Sequence, residues 1–172
     1  SAQAATIVRL GGKARLWASA GDDPVGDRVV AELDAEHIDV TCVRRVAGAR
    51  TGFSSILMDR TGERIIVPRY DPQLAGAPSA LPSLDDVAAV SVDVRWPDAA
   101  ALALTAARRR NIPGVLDLEI APDDVLKRLL PLATHIVASE PGALQLTGMA
   151  PEAAVAAISS RSKSVVAVTA GE

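Results

Sequence analysis

Polar residues that could do chemistry follow several apolar segments of this 172-residue sequence. They lie in five short stretches, namely Gly21–Asp23, Arg95–Trp96, Asp117–Glu119, Ser139–Glu140 and Thr169–Gly171. Each stretch follows a predicted strand, and parallel sheets bind ligands beyond the carboxyl ends of their strands. Asp117 and Ser139 are also helix-cap candidates, because the next helix begins at such a strand end. We expect the stretches to converge on one crevice.

Arg95 is the basic residue of this set. An arginine at a buried strand end needs an anionic partner, because an unpaired buried charge is costly. Its planar guanidinium group suits phosphate, sulfonate or carboxylate. The alternative is a salt bridge to Asp93 or Asp117 within the protein. Arg95 is therefore either an anion-binding residue or one half of an internal ion pair.

The order of predicted elements indicates an α/β fold. Strands are predicted at 14–20, 43–46, 52–58, 64–67, 87–94, 114–118, 134–138 and 164–169, and helices at 2–10, 24–36, 97–110, 122–130, 141–146 and 151–159. Asp23 is a candidate N-cap for the helix that begins at Pro24. Strands that alternate with helices predict a parallel sheet covered on both faces, and apolar runs such as 165–168 predict fully buried strands.

A β-rich stretch interrupts this alternation at residues 43–67. Asp59–Gly62 separates two short apolar segments and is typical of a hairpin turn, with glycine where positive φ is needed. The sequence therefore predicts a small antiparallel sheet inserted between βα units. Residues 70–82 contain three prolines and read as a linker.

Composition excludes several classes of protein. A net charge of −3 without long runs of like charge argues against nucleic acid or an anionic membrane as partner. The lone cysteine, Cys42, cannot form an internal disulfide or a thiolate metal site. Gly21–Gly26 has neither the dinucleotide-binding glycine spacing nor a P-loop lysine. No membrane-spanning stretch or signal peptide is evident, and we expect a cytoplasmic protein.

The order of segments resembles the PfkB or ribokinase-like family of sugar kinases. The stretches that carry the likeness are Ala4–Gly11, Gly21–Gly26, Thr51–Gly52 with Gly62–Arg64, Leu146–Gly148, and Val168–Glu172. The resemblance implies a three-layer α/β/α sandwich with a mostly parallel sheet and a small antiparallel β lid. It implies a lid at 43–68 and a nucleotide- and sugar-binding core at 1–42 and 69–172. It also implies a homodimer through the lid, whose apolar residues include Phe53, Ile56, Ile65 and Val67.

The family resemblance also implies a reaction and its site. The reaction is transfer of the ATP γ-phosphoryl group to a sugar hydroxyl, assisted by Mg²⁺. Ser139, Thr169 and Gly171 would bind the nucleotide and Glu140 the metal, with Arg95 and Asp117 on the substrate. The family's Gly-Ala-Gly-Asp segment, with its catalytic base, would follow Glu172, and its Gly-Gly pair would precede Ser1. No catalytic residue is therefore expected in this chain, which is expected to be trimmed at both ends.

Two departures from the family pattern bear on the substrate. The Asn-x-x-Glu motif falls on Ser139 and Gly142, and a carboxylate that binds sugar hydroxyls is replaced by Arg95. Val94–Trp96 and Ser139–Gly142 look most like the sulfofructose kinase branch, which implies a ketose or sugar derivative with an anionic end. The alternatives are a neutral-sugar kinase, such as a fructokinase or ribokinase, and a non-catalytic sugar-binding or dimerisation module.

Overall fold

Two units, residues 1–76 and 77–172, each carry their own sheets in the computed structural model, which describes residues 2–78 and 80–170. The elements of the first unit are α1 (Ala2–Arg9), β1 (Ala18–Gly21), α2 (Pro24–Ala35), β2 (Val43–Val46), β3 (Phe53–Met58), β4 (Arg64–Arg69) and a 3-10 helix (Pro72–Ala75). Those of the second are β5 (Val90–Val92), α3 (Pro97–Arg109), β6 (Gly114–Leu118), α4 (Asp123–Leu129), a 3-10 helix (Leu130–Leu132), β7 (His135–Ser139), α5 (Glu140–Thr147), α6 (Pro151–Ser162) and β8 (Val165–Thr169).

The first unit contains two small sheets. Strands β1 and β2 pair in parallel, and β3 and β4 form the predicted antiparallel hairpin. The sequence grouped Val43–Val46 with the inserted antiparallel stretch, but β2 pairs with β1 instead. Helix α2 separates the two paired strands in the sequence, and a local sequence pattern does not show which distant strand will be the partner. At the hairpin turn, the Asp59 carboxylate accepts hydrogen bonds from the Thr61 and Glu63 amides, and Gly62 has a φ of 90°.

The second unit contains a four-stranded parallel sheet in the order β5-β6-β7-β8. Its core consists of side chains from the sheet and the four helices, and the largest fully buried ones are Leu104, Leu116, Leu118, Leu126, Leu129, Ile136 and Ile158. The many alanines of α3 let that helix pack closely, since five of its six buried residues are alanine and the sixth is Leu104. This packing holds the carboxyl ends of the four strands at one edge.

The prediction that strand 165–168 is fully buried is wrong. Residues Val165, Ala167 and Thr169 of β8 are exposed, while Val166 and Val168 pack against the core. β8 lies at the edge of the four-stranded sheet, with β7 as its one neighbour there, and only one of its faces is covered. Within residues 2–78 and 80–170, no helix has the length and apolar character needed to cross a bilayer.

Candidate functional site

The carboxyl-end edge of the four-stranded sheet gathers several of the predicted site residues. All three strand pairs are parallel, so the residues after β5, β6, β7 and β8 leave the sheet on the same side. The pairing register places Ser139, the last residue of β7, directly beside Thr169, the last residue of β8. The convergence predicted for these two residues is therefore present in the fold.

Ser139 stands at the junction of β7 and α5 and makes both a cap and a cross-strand contact. Its Oγ accepts a hydrogen bond from the Gly142 amide at 3.2 Å, which caps the first turn of α5. The same hydroxyl donates to Glu119 Oε2 at 3.0 Å. These contacts hold the hydroxyl at the start of α5, whose positive dipole end lies at this edge.

Glu119 is a site residue that we did not single out from the sequence. It directly follows β6, and its half-buried carboxylate contacts the Ser139 hydroxyl across a separation of 20 residues in the chain. The available signal was its position in the Asp117–Glu119 stretch after a strand. The hydrogen bond from Ser139 helps to fix the position of the Glu119 carboxylate at this edge.

Thr169 and Glu140 flank Ser139. The Thr169 hydroxyl donates to the Ala138 carbonyl at 3.4 Å, and its side chain is otherwise exposed at the end of β8. Glu140 is the first residue of α5 and is exposed. Gly171, the third residue predicted to bind nucleotide, lies outside the described residues.

The carboxylates at this edge fit a magnesium ion in donor chemistry. Mg²⁺ takes oxygen ligands, and in phosphoryl-transfer sites one or two carboxylates hold it together with substrate phosphates. Glu140 and Glu119 supply such oxygens. Among residues 2–78 and 80–170 no group of three or more His, Cys, Asp and Glu side chains is arranged to hold a metal ion by itself. The edge thus offers carboxylates that could complete a shell with phosphate oxygens.

Arg95 follows β5 and Asp117 lies within the neighbouring strand β6. Strand β5 ends at Val92, two residues earlier than predicted, and the Asp93 carboxylate accepts a hydrogen bond from the Arg95 amide at 2.9 Å. The prediction that Arg95 is buried is wrong, because this turn carries it beyond the sheet and leaves it exposed. Asp117 is the penultimate residue of β6 and is half-buried beside Val137 of β7.

A second polar cluster closes the carboxyl end of β1 in the first unit. The Asp23 carboxylate accepts hydrogen bonds from the Gly26 amide at 2.8 Å, the Thr51 amide at 2.9 Å and the Thr51 hydroxyl at 2.6 Å. The Thr51 bonds, first the hydroxyl and then the amide, together with the Gly26 amide, lower the pKa of Asp23. The predicted cap of α2 by Asp23 is confirmed. The hydrogen bonds between Thr51 and Asp23 were not predicted from the sequence.

The two glycines of the Gly21–Gly26 stretch are explained by close backbone approach. A Cβ on Gly21 would lie 2.5 Å from the Ala49 carbonyl oxygen and 2.6 Å from the Thr51 nitrogen. A Cβ on Gly26 would collide with the Gly21 carbonyl oxygen and lie 2.7 Å from Thr51 Oγ1. Any larger residue at either position would have to displace backbone atoms, which a packed structure resists.

Comparison with known proteins assigns this arrangement to a family. The profile of the pfkB family of carbohydrate kinases matches residues 1–172. This chain belongs to that family. It is 30% identical to the ribokinase of Mus musculus over 86% of this chain and 47% of that protein. It is also 42% identical to a candidate ribokinase from Agrobacterium tumefaciens, with a TM-score of 0.91, over 98% of this chain and 56% of that one.

The solved relatives also fix the fold class. The predicted ribokinase-like three-layer α/β/α fold, with a mostly parallel sheet and a small antiparallel one, is confirmed by the Agrobacterium structure. A fructokinase from Halothermothrix orenii shares the fold at 19% identity and a TM-score of 0.79, over 98% of this chain and 66% of that one. The chain spans about half the length of the first two relatives.

Proposed function

We propose that the protein containing this chain is an ATP-dependent sugar kinase. The observation that carries the proposal is the register of β7 and β8, which pairs Ser139 with Thr169, together with the hydrogen bond from the Ser139 hydroxyl to the Glu119 carboxylate. In the proposed reaction a sugar hydroxyl oxygen bonds to the γ-phosphorus as the bond to ADP breaks, and the hydroxyl proton passes to a base. No residue of this chain is assigned as that base.

The residues of the edge have distinct proposed roles. Ser139, Thr169 and Gly171 bind the nucleotide, and Glu140 contributes a ligand to Mg²⁺. Bound Mg²⁺ would neutralise charge on the transferring phosphoryl group. Glu119 holds the Ser139 hydroxyl in place through the 3.0 Å hydrogen bond. The α5 cap keeps that hydroxyl at the helix N-terminus, where the dipole favours negative groups.

Arg95 and Asp117 are proposed to bind the substrate, which we propose to be a ketose or sugar derivative with an anionic end. The exposure of Arg95, which is not enclosed in the protein core, supports this role. A planar guanidinium group can bind sulfonate, phosphate or carboxylate through two parallel hydrogen bonds. Asp117 would accept hydrogen bonds from sugar hydroxyls.

Steady-state kinetics of the full-length protein tests this proposal. The protein is assayed with ATP, Mg²⁺ and a panel of neutral sugars and of ketoses that carry a sulfonate, phosphate or carboxylate. Arg95→Ala should raise the KM for the anionic sugar about tenfold or more, since a hydrogen bond to a charged group contributes about 1.5–3 kcal/mol. Arg109→Ala is the matched control, because Arg109 is an exposed arginine at the end of α3.

The outcomes separate the proposal from its alternatives. Phosphorylation of neutral sugars alone, with no effect of Arg95→Ala, would favour a fructokinase- or ribokinase-type enzyme. Sugar binding by calorimetry without ATP turnover would favour the non-catalytic module, for which the replacement of the family's Asn-x-x-Glu motif by Ser139 and Gly142 is the supporting observation. A cytoplasmic location fits the use of ATP and stays a prediction.

The β3–β4 hairpin is proposed to act as a lid and as a dimer contact. Both of its faces carry exposed apolar side chains, among them Ile56, Leu57, Ile65 and Ile66. Exposed apolar strands of this kind are an aggregation hazard unless a ligand or a partner covers them. We therefore keep the homodimer, and the lid at 43–68 with the core at 1–42 and 69–172, as proposals.

A further inference from the structure

The hairpin β3–β4 is joined to the first unit by two chain segments, and an aspartate fixes each of them. Thr51 lies on the entering segment and donates both its amide and its hydroxyl to Asp23. Asp71 lies on the leaving segment, where its carboxylate accepts the Arg50 amide at 2.8 Å and the Gln73 amide at 3.1 Å. Asp71 therefore ties the two segments to each other, and Asp23 ties the entering one to the start of α2.

Thr51 is held in this position from two sides. Its hydroxyl donates to Asp23 Oδ1 at 2.6 Å and accepts from the Gly21 amide at 2.9 Å. Thr51 also lies close to both glycines of this stretch, because a Cβ on Gly21 would be 2.6 Å from the Thr51 nitrogen and a Cβ on Gly26 2.7 Å from Thr51 Oγ1. A hydroxyl is required at position 51, because a side chain that only accepts or only donates would break one of the two bonds.

The bonds to Asp23 and Asp71 have the character of charge-assisted hydrogen bonds. Three donors converge on the Asp23 carboxylate, and the pKa of Asp23 lies below its usual range because of them. The Arg50 and Gln73 amides likewise lower the pKa of Asp71. Both carboxylates are ionised at neutral pH, and hydrogen bonds to an ionised acceptor are about twice as strong as neutral ones.

An arginine of β2 fixes the leaving segment further along. Arg44 Nη2 donates to the carbonyl oxygens of Leu74 at 3.2 Å and Gly76 at 3.1 Å, around the end of the 3-10 helix. Its Nε donates to Ser19 Oγ of β1 at 2.9 Å. The entering segment is thus anchored at Thr51 and the leaving segment at Asp71. One residue separates each anchor from the paired strands, Gly52 before β3 and Tyr70 after β4.

We propose that Asp23 and Thr51 are positioning residues for the sugar. They hold the base of the β3–β4 hairpin in place, and through it they act on sugar binding. The inference rests on the proposed function, because the hairpin can act on sugar binding only if the protein is a sugar kinase. Asp23 and Thr51 touch neither the reacting atoms nor the nucleotide in this proposal, and they act on sugar binding through the hairpin.

Threonine variants of the full-length protein test the proposal. Thr51→Val removes the hydroxyl at nearly constant volume, and Thr51→Ser keeps it. Thr41→Val is the matched control, since Thr41 donates its amide and hydroxyl to Asp39 in the same way but outside the hairpin and its two segments. We expect Thr51→Val to raise the sugar KM about tenfold, as loss of a hydrogen bond to a charged group predicts. Thr51→Ser and Thr41→Val should keep the wild-type sugar KM, and no variant should change the KM for ATP.

Hydrogen exchange supplies a readout that does not depend on activity. In Thr51→Val, amides of peptides that cover residues 47–58 should exchange faster, while Thr51→Ser and Thr41→Val leave them as in the wild type. Unchanged exchange in Thr51→Val, or a Thr51→Ser variant as impaired as Thr51→Val, would overturn the positioning role in an active enzyme. A wild-type protein that phosphorylates no sugar would overturn the proposed function and with it the lid role, whatever the exchange rates.

Discussion

Ser139 Oγ donates a hydrogen bond to Glu119 Oε2 at 3.0 Å, and so links the carboxyl ends of β6 and β7 through side chains. The Gly142 amide donates to the same oxygen, and the hydroxyl is therefore both donor and acceptor at the start of α5. In the family pattern an asparagine occupies this position. A serine there keeps the capping function, because both residue types are favoured N-caps.

Ser139→Ala should lower the free energy of unfolding and weaken nucleotide binding. Loss of an N-cap costs about 0.5–2 kcal/mol. Loss of the oriented hydroxyl should also raise the KM for ATP if Ser139 binds the nucleotide. Urea unfolding and initial-rate kinetics on the full-length protein measure the two effects, and Ser139→Asn, which restores a cap and the family residue, is the control. An unchanged unfolding midpoint would contradict the cap, and an unchanged KM for ATP would contradict the nucleotide role.

Gly142→Ala should destabilise the protein even though alanine is the better helix former. In open space the change would stabilise a helix by up to about 1 kcal/mol. Here the new Cβ would lie 2.7 Å from the Leu118 carbonyl oxygen and 2.8 Å from Leu118 Cδ2, and overpacking of this kind costs about 1–3 kcal/mol. Thermal and urea unfolding measure the sign. Leu144→Ala, at an exposed position of the same helix, should stay within about 0.5 kcal/mol of the wild type. A Gly142→Ala variant more stable than the wild type would rule out the clash.

The elements whose signals are local could be predicted from the sequence. β6 was predicted with the observed bounds Gly114–Leu118, and Asp23 followed by Pro24 located the start of α2. The Gly148 that ends α5 has a φ of 70°, the left-handed conformation that glycine favours at helix ends. Helix caps, turns and hydrophobic periodicity each depend on residues a few positions apart, so they can be recognised without knowing the contacts between distant residues.

The features that the sequence did not reveal depend on contacts between distant residues. Thr51 and Asp23 are 28 positions apart, and Glu119 and Ser139 are 20 positions apart. β5 ends at Val92, before the end of its apolar run, and the Asp93 side chain that follows accepts a hydrogen bond from the Arg95 amide where the chain leaves the sheet. Arg95 lies beyond that point and is exposed. Where a strand ends depends on which backbone amide and carbonyl groups form hydrogen bonds, and the hydrophobic pattern alone does not determine this.

Acid should destabilise the protein in part through Asp39, and Asp39→Asn should reduce that sensitivity. The Thr41 hydroxyl, at 2.5 Å, and the Arg15 guanidinium group, at 2.7 Å, lower the pKa of Asp39 to about 2. The pKa of an aspartate in an unfolded chain is about 3.9, so the folded state binds fewer protons between these two pKa values. Stability from this group is fully present above the unfolded pKa and is lost as the pH falls toward 2.

Urea unfolding of the full-length protein at several pH values between 5 and 2.5 measures this dependence. The fall in the free energy of unfolding should be shallower for Asp39→Asn than for the wild type. Asp34→Asn, at an exposed position of α2, should keep the wild-type slope. Parallel curves for the wild type and Asp39→Asn would show that Asp39 does not contribute to acid sensitivity.

The pairing register of β3 and β4 predicts which single lysine substitutions should have the same effect on the proposed homodimer. Ile56 pairs with Ile66 and Leu57 with Ile65, and directly opposed residues of an antiparallel pair share one face of the sheet. If the face that carries one of these pairs lies between two copies of the protein, lysine at either residue of that pair would bury an unpaired charge. The variant should then be a monomer in sedimentation velocity of the full-length protein. Lysine at either residue of the other pair should leave the dimer intact and serves as the matched control. Dissociation by one member of a pair but not by its partner, or a monomeric wild-type protein, would contradict a dimer formed through one face of the hairpin.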